Sequence, residues 1–193
     1  MIARATLESD GVRFTYEFIN RSESDYETLQ PVTCVKLYGS FSDVRLERTY
    51  VHHKEGFDLL ASETPQRLKM SEKEWLPCRY LVPYTWPVVP AEKRVEKDPD
   101  SITRYHKSRQ VDEPFIATLS RDGKWIAATW TAETGNVWTN PERTCQHADP
   151  STELSPGETR HVELKTFVFQ GSLDRLWESV KQARRAGLAA GGK

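Results

Sequence analysis

The sequence has few cysteines and no long apolar run, and each shortage excludes a class of protein. Its three cysteines, Cys34, Cys78 and Cys145, are odd in number and too sparse for a disulfide scaffold, so we expect reduced thiols. No apolar run approaches the ~20 residues that a helix needs to span a bilayer. The chain starts without the apolar stretch of a signal peptide, so we expect a cytoplasmic protein, unless Met1 was added to a mature secreted form.

An excess of charge of one sign is also missing. The 27 basic and 28 acidic residues are interspersed and give a formal net charge of -1. A surface that binds a phosphate backbone or an anionic membrane carries an excess of positive charge. We therefore expect neither nucleic acid nor a membrane as a partner, while a homo-oligomer is left open.

Several catalytic motifs are absent as well. The sequence contains no Gly-x-Ser-x-Gly elbow, no P-loop, no dinucleotide fingerprint and no His-Glu-x-x-His helix. Their absence disfavours classical serine hydrolases, nucleotide enzymes and zincins.

What the sequence does contain is alternation with a period of two. Residues 12–19 place Val12, Phe14, Tyr16 and Phe18 on one face, which is typical of a half-buried strand, and Asp10-Gly11 and Asp122-Gly123 are hairpin turn signals. Further strands are predicted over 4–8, 32–38, 44–53, 115–119, 125–131 and 161–170, with 75–85 as an edge or crossing segment. Strands that follow one another without helices predict a mainly β fold, a two-sheet antiparallel β-sandwich of jelly-roll or supersandwich type.

Two segments depart from this pattern. Residues 172–186 have apolar positions at helical spacing behind Ser172, which predicts a C-terminal α-helix over about 173–185. Residues 87–113 are rich in proline and charge, which predicts a long loop or lid. We expect 1–193 to form a single domain.

The strand over 44–53 supplies the first candidate site. A continuous strand from Val44 would carry Arg48, Tyr50 and His52 on the face of Leu46, beside His53. Such a face grades from packed core into a polar cleft, where His52 and His53 would move protons and Arg48 would hold an anionic or hydroxyl group. The alternative is that Tyr50 and His52 are ordinary rim residues of a sheet.

Cys145 and His147 form the second candidate, because a spacing of two places both on the same side of an extended segment. They would bind a divalent metal with His52, His53 or Asp149 completing the ligands. The alternative is structural, with Cys145 buried and His147 hydrogen-bonded. No cofactor is required by the sequence, and a divalent metal is left open.

Aromatic residues supply the third and fourth candidates. Trp125 and Trp130 have opposite parity on one strand, so at least one of them must leave the core. Exposed rings such as Trp130 and Trp138 suit flat sugar faces, with Tyr50 and Asn140 as further ligand contacts, although covering a core is the commoner use.

In the 87–113 segment, Tyr105 and His106 would reach the cleft on a lid as acid or base, unless they lie in a solvated loop.

Three stretches, 14–22, 154–159 and 167–171, resemble the β-sandwich proteins related to galactose mutarotases and the accessory sandwiches of polysaccharide-active enzymes. In mutarotase-like proteins a His and a carboxylate on the concave sheet act as acid and base at the sugar's anomeric centre. The resemblance implies a sugar site on a sheet, and no motif here aligns residue by residue with that pair.

The leading functional hypothesis is therefore a carbohydrate-active protein with a carbohydrate ligand. His52, His53 or His147 would transfer protons in a cleft shared with residues 136–149. The alternatives are a non-catalytic module that binds a glycan or protein, and a metal-dependent enzyme built on Cys145 and His147 with His52 or His53.

Overall fold

The computed structural model describes residues 1–64, 80–81, 84–85, 90–97, 103–132, 136–140 and 144–191. In this part of the chain the fold is mainly β with a single C-terminal α-helix, as the sequence predicts. The first strands are β1 (Ile2–Glu8), β2 (Gly11–Ile19), β3 (Tyr26–Leu29), β4 (Val35–Lys36), β5 (Thr49–His53), β6 (Gly56–Leu59), β7 (Tyr80–Leu81) and β8 (Tyr84–Thr85). The remaining elements are β9 (Val95–Lys97), β10 (Thr103–Tyr105), β11 (Glu113–Leu119), β12 (Trp125–Thr131), β13 (Asn136–Trp138), β14 (Cys145–Asp149), β15 (Thr152–Leu154), β16 (Thr159–Gln170) and α1 (Leu173–Gly191).

One large antiparallel sheet organises the chain, with seven strands in the order β1-β2-β16-β12-β11-β5-β6. The hairpins β1–β2 and β11–β12 form at the two Asp-Gly signals. Gly11 is required by its surroundings as well as by the turn, because a Cβ built there would lie 1.9 Å from the carbonyl oxygen of Thr166 on neighbouring β16.

The two faces of this sheet bury different cores. Helix α1 covers one face through the apolar cluster Phe115, Ala117, Ile126, Ala128, Trp130, Phe167, Phe169, Leu176, Val180 and Ala183. On the opposite face lies a second cluster, formed by Leu46, Val51, Leu60, Ala61, Tyr105, Val111, Ile116, Val137 and Ala148. Because Val137 and Ala148 belong to β13 and β14, the second core joins the large sheet to a small one.

The small sheet has four strands in the order β4-β14-β13-β8, and β14 contacts β11 and β12. A three-stranded sheet, β7-β10-β9, and a two-stranded sheet, β15-β3, complete the described chain. The architecture is therefore one large antiparallel sheet with separate smaller sheets, and the predicted two-sheet sandwich is not confirmed.

The segment before β5 differs from the predicted strand over 44–53. The strand begins at Thr49, because Leu46 adopts a positive φ of 53° in a turn. That turn breaks the alternation on which the first candidate site depended. Leu46 packs with Val51 in the core beneath the small sheet, while His52 points to the helix face.

The described part of the predicted lid also contains regular structure. Strands β9 and β10 pair with each other, and Glu113 already belongs to β11. Tyr105 is buried in the core rather than carried on an open loop. Residues 87–89 and 98–102 of that segment, and 75–79 and 82–83 of the predicted crossing strand, lie outside the described residues.

Helix α1 begins as predicted, since the Ser172 hydroxyl accepts a hydrogen bond from the Arg175 amide at 3.3 Å. Buried Glu113 fastens the helix to the sheet. Its carboxylate accepts hydrogen bonds from the Trp130 indole at 2.7 Å and from Arg184 Nε of α1 at 2.8 Å. Among the described helices, none is both long and apolar enough to cross a membrane.

Candidate functional site

The hairpin β13–β14 presents polar side chains on one face. Its register pairs Asn136 with Asp149 and Trp138 with His147. Alternation along the extended chain places every second residue on the same side. This side, the polar face, consists of Asn136, Trp138, Asn140, Cys145, His147 and Asp149.

The opposite side of the hairpin is fixed to the large sheet. The Gln146 amide donates hydrogen bonds to the Ala127 carbonyl at 2.9 Å and to the Thr118 hydroxyl at 3.0 Å. Its oxygen accepts one from the Thr129 hydroxyl at 3.1 Å. A fully bonded buried amide defines one register. The packed side therefore holds the polar face in place.

Three residues at the centre of the polar face contact one another. The rings of Trp138 and His147 stack with centroids 3.6 Å apart and planes 8° apart. The Trp138 indole donates to Asp149 Oδ2 at 2.6 Å, and the other oxygen of that carboxylate lies 3.6 Å from His147 Nδ1. Asp149 is thereby oriented by tryptophan and faces the histidine.

Unsatisfied polar atoms are concentrated here. Both ring nitrogens of His147, and one side-chain oxygen on each of Asn136, Asn140 and Asp149, are buried without a hydrogen-bond partner among the described residues. Burying such an atom without a partner costs about 1–3 kcal/mol. A group of several such atoms is unusual in a folded protein, where buried polar groups are normally hydrogen-bonded.

Two thiols lie beside His147. Register between β4 and β14 pairs Lys36 with Cys145, which brings the preceding Cys34 next to His147. The sulfur atoms of Cys34 and Cys145 and a ring nitrogen of His147 all lie within 4.8 Å of one another. Burial, with a smaller contribution from neighbouring Cys34, raises the pKa of the Cys145 thiol to about 11. An unligated Cys145 is therefore protonated at neutral pH and a poor nucleophile.

His52 lies in a different layer, on the helix face of the large sheet. Its ring stacks on Trp177 of α1 at 4.0 Å, and its Nδ1 is 2.7 Å from Asp112 Oδ1. Asp112 and Arg184 also line a groove of about 550 Å³. The polar face belongs to the small sheet that covers the other side, so the structure does not bring His52 and His147 together.

His53 and Arg48 have contacts within the scaffold. His53 is buried, with Nδ1 2.9 Å from the carbonyl oxygen of Gln110. The Arg48 guanidinium donates to the backbone carbonyls of Leu119, Ser40 and Ser42. These bonds tie the turn before β5 to the β11–β12 hairpin, so the group that we expected to hold a ligand holds backbone instead.

The other predicted residues are distributed between core and surface. Trp130 is fully buried, so its ring is not open to a ligand. Trp125 has the opposite parity on the same strand and is 45% exposed, as that parity predicts. Tyr50 pairs with Ala117 on the large sheet. His106 follows core residue Tyr105, and its Nε2 lies 3.5 Å from Glu96 Oε2. Burial lowers the pKa of His106.

The polar face thus combines five residues that the sequence nominates, Trp138, Asn140, Cys145, His147 and Asp149. It adds Asn136, and Cys34 lies beside it; sequence reasoning missed both as site residues. Asn136 shares parity with Trp138 and Asn140, and that alternation was the available signal. Nothing local connects Cys34 to His147, because their proximity depends on the pairing of β4 with β14.

Comparisons with known proteins found similarity in structure only. No protein-family model matches the chain, and no curated protein matches it. A galactose mutarotase-like protein from Clostridium acetobutylicum is similar with a TM-score of 0.45 and 9% identity, over 88% of this chain and 55% of that one. The Slr1438 protein from Synechocystis sp. PCC 6803 is similar with a TM-score of 0.44 and 9% identity, over 88% of this chain and 54% of that one. The weak resemblance to galactose-mutarotase-like proteins is confirmed, and the chain spans about half the length of both structures.

Proposed function

We propose that the polar face binds a carbohydrate and that His147 and Asp149 provide acid–base chemistry at the bound sugar. The observation that carries this proposal is a group of buried polar atoms on Asn136, Asn140, His147 and Asp149 that have no hydrogen-bond partner in the described part of the chain. The scaffold fixes these atoms, and a ligand is what would complete their hydrogen bonds.

A polyhydroxylated ligand suits the atoms that need partners. Carboxylate and amide oxygens accept hydrogen bonds, whereas a neutral imidazole donates from one nitrogen and accepts at the other. A sugar hydroxyl does both, so neighbouring hydroxyls of one ring match a mixed set of this kind. Trp138 adds apolar ring surface, which sugar faces pack against.

Acid–base chemistry follows from the His147–Asp149 pair. Imidazole is suited to proton transfer because its unperturbed pKa lies near neutrality. A carboxylate near Nδ1 favours the tautomer that leaves Nε2 as the base, and Asp149 lies on that side at 3.6 Å. Proton transfer at a sugar is the reaction class that this pair supports.

The test is a glycan array followed by titration calorimetry of the sugars retained. We expect His147→Ala, Asp149→Asn and Trp138→Ala to abolish or strongly weaken binding. Exposed His161 lies on β16 of the large sheet rather than on the β13–β14 hairpin, so His161→Ala is the matched control and should bind like the parent. No retained sugar, or full binding by His147→Ala, would reject the proposal.

Product analysis by NMR then separates enzyme from binding module. A positioned proton carrier contributes ~10²- to 10⁴-fold in rate. We expect His147→Ala to lose that much turnover relative to the parent. Binding without any turnover would leave a carbohydrate-binding module, the alternative of the sequence analysis.

The cytoplasm remains the proposed location, in keeping with the free thiols of Cys34 and Cys145.

A further inference from the structure

We propose that Cys34, Cys145 and His147 are the ligands of a zinc ion. Two thiol sulfurs and one imidazole nitrogen lie within 4.8 Å of one another. In tetrahedral zinc sites, bonds of about 2.0–2.3 Å place neighbouring ligand atoms roughly 3.3–3.8 Å apart. Small side-chain rotations therefore suffice to close the three donors around one ion.

The donors have different backbone origins, which makes the group part of the tertiary structure. Cys145 and His147 point to the same side of β14, and Cys34 arrives on the adjacent strand segment. Two thiolates and one imidazole favour zinc over the hard cations magnesium and calcium, which prefer oxygen ligands. His52 and His53, the further ligands that the sequence suggested, both belong to the large sheet and lie outside this group.

His147 supplies an independent observation. Its side chain is only 3% exposed, and neither ring nitrogen has a hydrogen-bond partner among the described residues. A metal at one nitrogen and a carboxylate at the other is the usual environment of a ligating histidine. Asp149 lies 3.6 Å from Nδ1, and the Trp138 indole holds that carboxylate, so the surroundings of such a ligand are already in place.

Three protein ligands leave a fourth position on the ion. In catalytic zinc sites that position holds water or substrate, and the bound water has a pKa of about 7. A sugar hydroxyl or a water would occupy that position, so this part of the inference rests on the proposed carbohydrate binding. A His147 nitrogen that ligates zinc cannot also act as the base, so in the zinc-bound protein the metal-bound water would replace His147 as the proton carrier.

The experiment uses the full chain, purified in reductant without a metal-affinity tag, and measures zinc by mass spectrometry. We expect roughly one zinc per chain, as in a mononuclear site. Cobalt in place of zinc should give a thiolate-to-metal charge-transfer band. Cys34→Ser, at an exposed position, and His147→Gln should lose the zinc and the band while retaining the circular dichroism of the parent. His161→Gln is the control and should retain both.

Asp149→Asn tests the positioning role of the carboxylate. Loss of such a partner typically weakens metal affinity ~10- to 100-fold, and competition with a chelating indicator measures it. Protein that holds no zinc after equilibration with zinc salt and desalting would overturn the inference, as would a native Cys34–Cys145 disulfide found by peptide mapping.

Sugar binding by chelator-treated and zinc-loaded protein separates the two proposals. Zinc bound at the three ligands without any sugar bound would reject the carbohydrate proposal and support the zinc site. Sugar bound by a protein that never takes up zinc would reject the zinc site alone.

Discussion

At the residue scale, His52 and His147 are two buried histidines with opposite surroundings. The His52 ring stacks on Trp177 and meets Phe57 edge-on, and its Nδ1 lies 2.7 Å from Asp112 Oδ1. His147 is equally buried, but the described residues leave both of its nitrogens unbonded. Since buried polar groups are normally satisfied, the second histidine is the functional candidate and the first has a complete structural environment.

We therefore expect His52→Ala to lower stability rather than to abolish ligand or metal binding. The substitution removes the stack on Trp177 and the hydrogen bond to Asp112, and it leaves a cavity beneath α1. Losses of this kind cost about 1–3 kcal/mol in the free energy of unfolding. Urea denaturation measures the change, and the exposed His161→Ala should remain within about 0.5 kcal/mol of the parent. Unchanged stability with lost activity would return His52 to the functional site.

At the element scale, one buried carboxylate supplements the apolar contacts that hold helix α1 on the large sheet. Glu113 is 7% exposed and bonds to Trp130 from the sheet and to Arg184 from the helix. Removing one partner from a group of this kind leaves the others unsatisfied in the interior.

We expect Glu113→Ala to destabilise the protein by about 2–4 kcal/mol, toward the lower part of that range because Arg184 is partly solvated. Hydrogen exchange should rise first in α1, since the carboxylate adds a polar link through Arg184 to the apolar contacts between the helix and the sheet. Glu178→Ala, on the exposed side of the helix, is the matched control. Protection in α1 that is unaffected by Glu113→Ala would show that apolar packing alone holds the helix.

Elements were predictable where the signal was local. The alternation of residues 12–19, the two Asp-Gly turns and the helical spacing after Gly171 all predicted structure that is present. Other parts of the fold depended on backbone conformations that no local pattern reveals. The positive φ of Leu46 ends the predicted alternation, so Leu46 and His52 lie on opposite faces of the large sheet instead of on the same face. The polar face required long-range register, and neither the pairing of β4 with β14 nor that of Asn136 with Asp149 follows from local pattern.

At the scale of the whole molecule, buried and half-buried ion pairs link distant parts of the chain. Hydrogen bonds from Arg13 and Lys165 lower the pKa of Glu8 from 4.5 to about 2 and join β1, β2 and β16. Lys107, which is 4% exposed, lies 3.2 Å from Asp58 and connects the segment after β10 to β6. For Asp58, burial raises the pKa, and Ser62 and Lys107 lower it by more, so the net direction is downward.

These shifts predict a loss of stability in acid. A carboxyl group whose pKa is lowered by folding contributes its full stabilisation above the unfolded value, because both states are then ionised. For Glu8 the unfolded chain takes up a proton as pH falls through 4.5, while the folded chain resists until about 2. The free energy of unfolding should therefore fall across that interval. Because Glu8 is 27% exposed, we expect its share to be only about 1–2 kcal/mol.

Glu8→Gln isolates this contribution. The variant should be less stable than the parent near neutral pH, and the difference should shrink as the pH falls from 4.5 toward about 2, where the parent's own carboxylate becomes protonated. Urea unfolding at several pH values in low salt measures both curves. Glu23→Gln, at an exposed position with no ion pair among the described contacts, should run parallel to the parent. A Glu8→Gln curve that also stays parallel to the parent would show that Glu8 titrates alike in the folded and unfolded chain, and the ion pairs with Arg13 and Lys165 would then contribute nothing to acid stability.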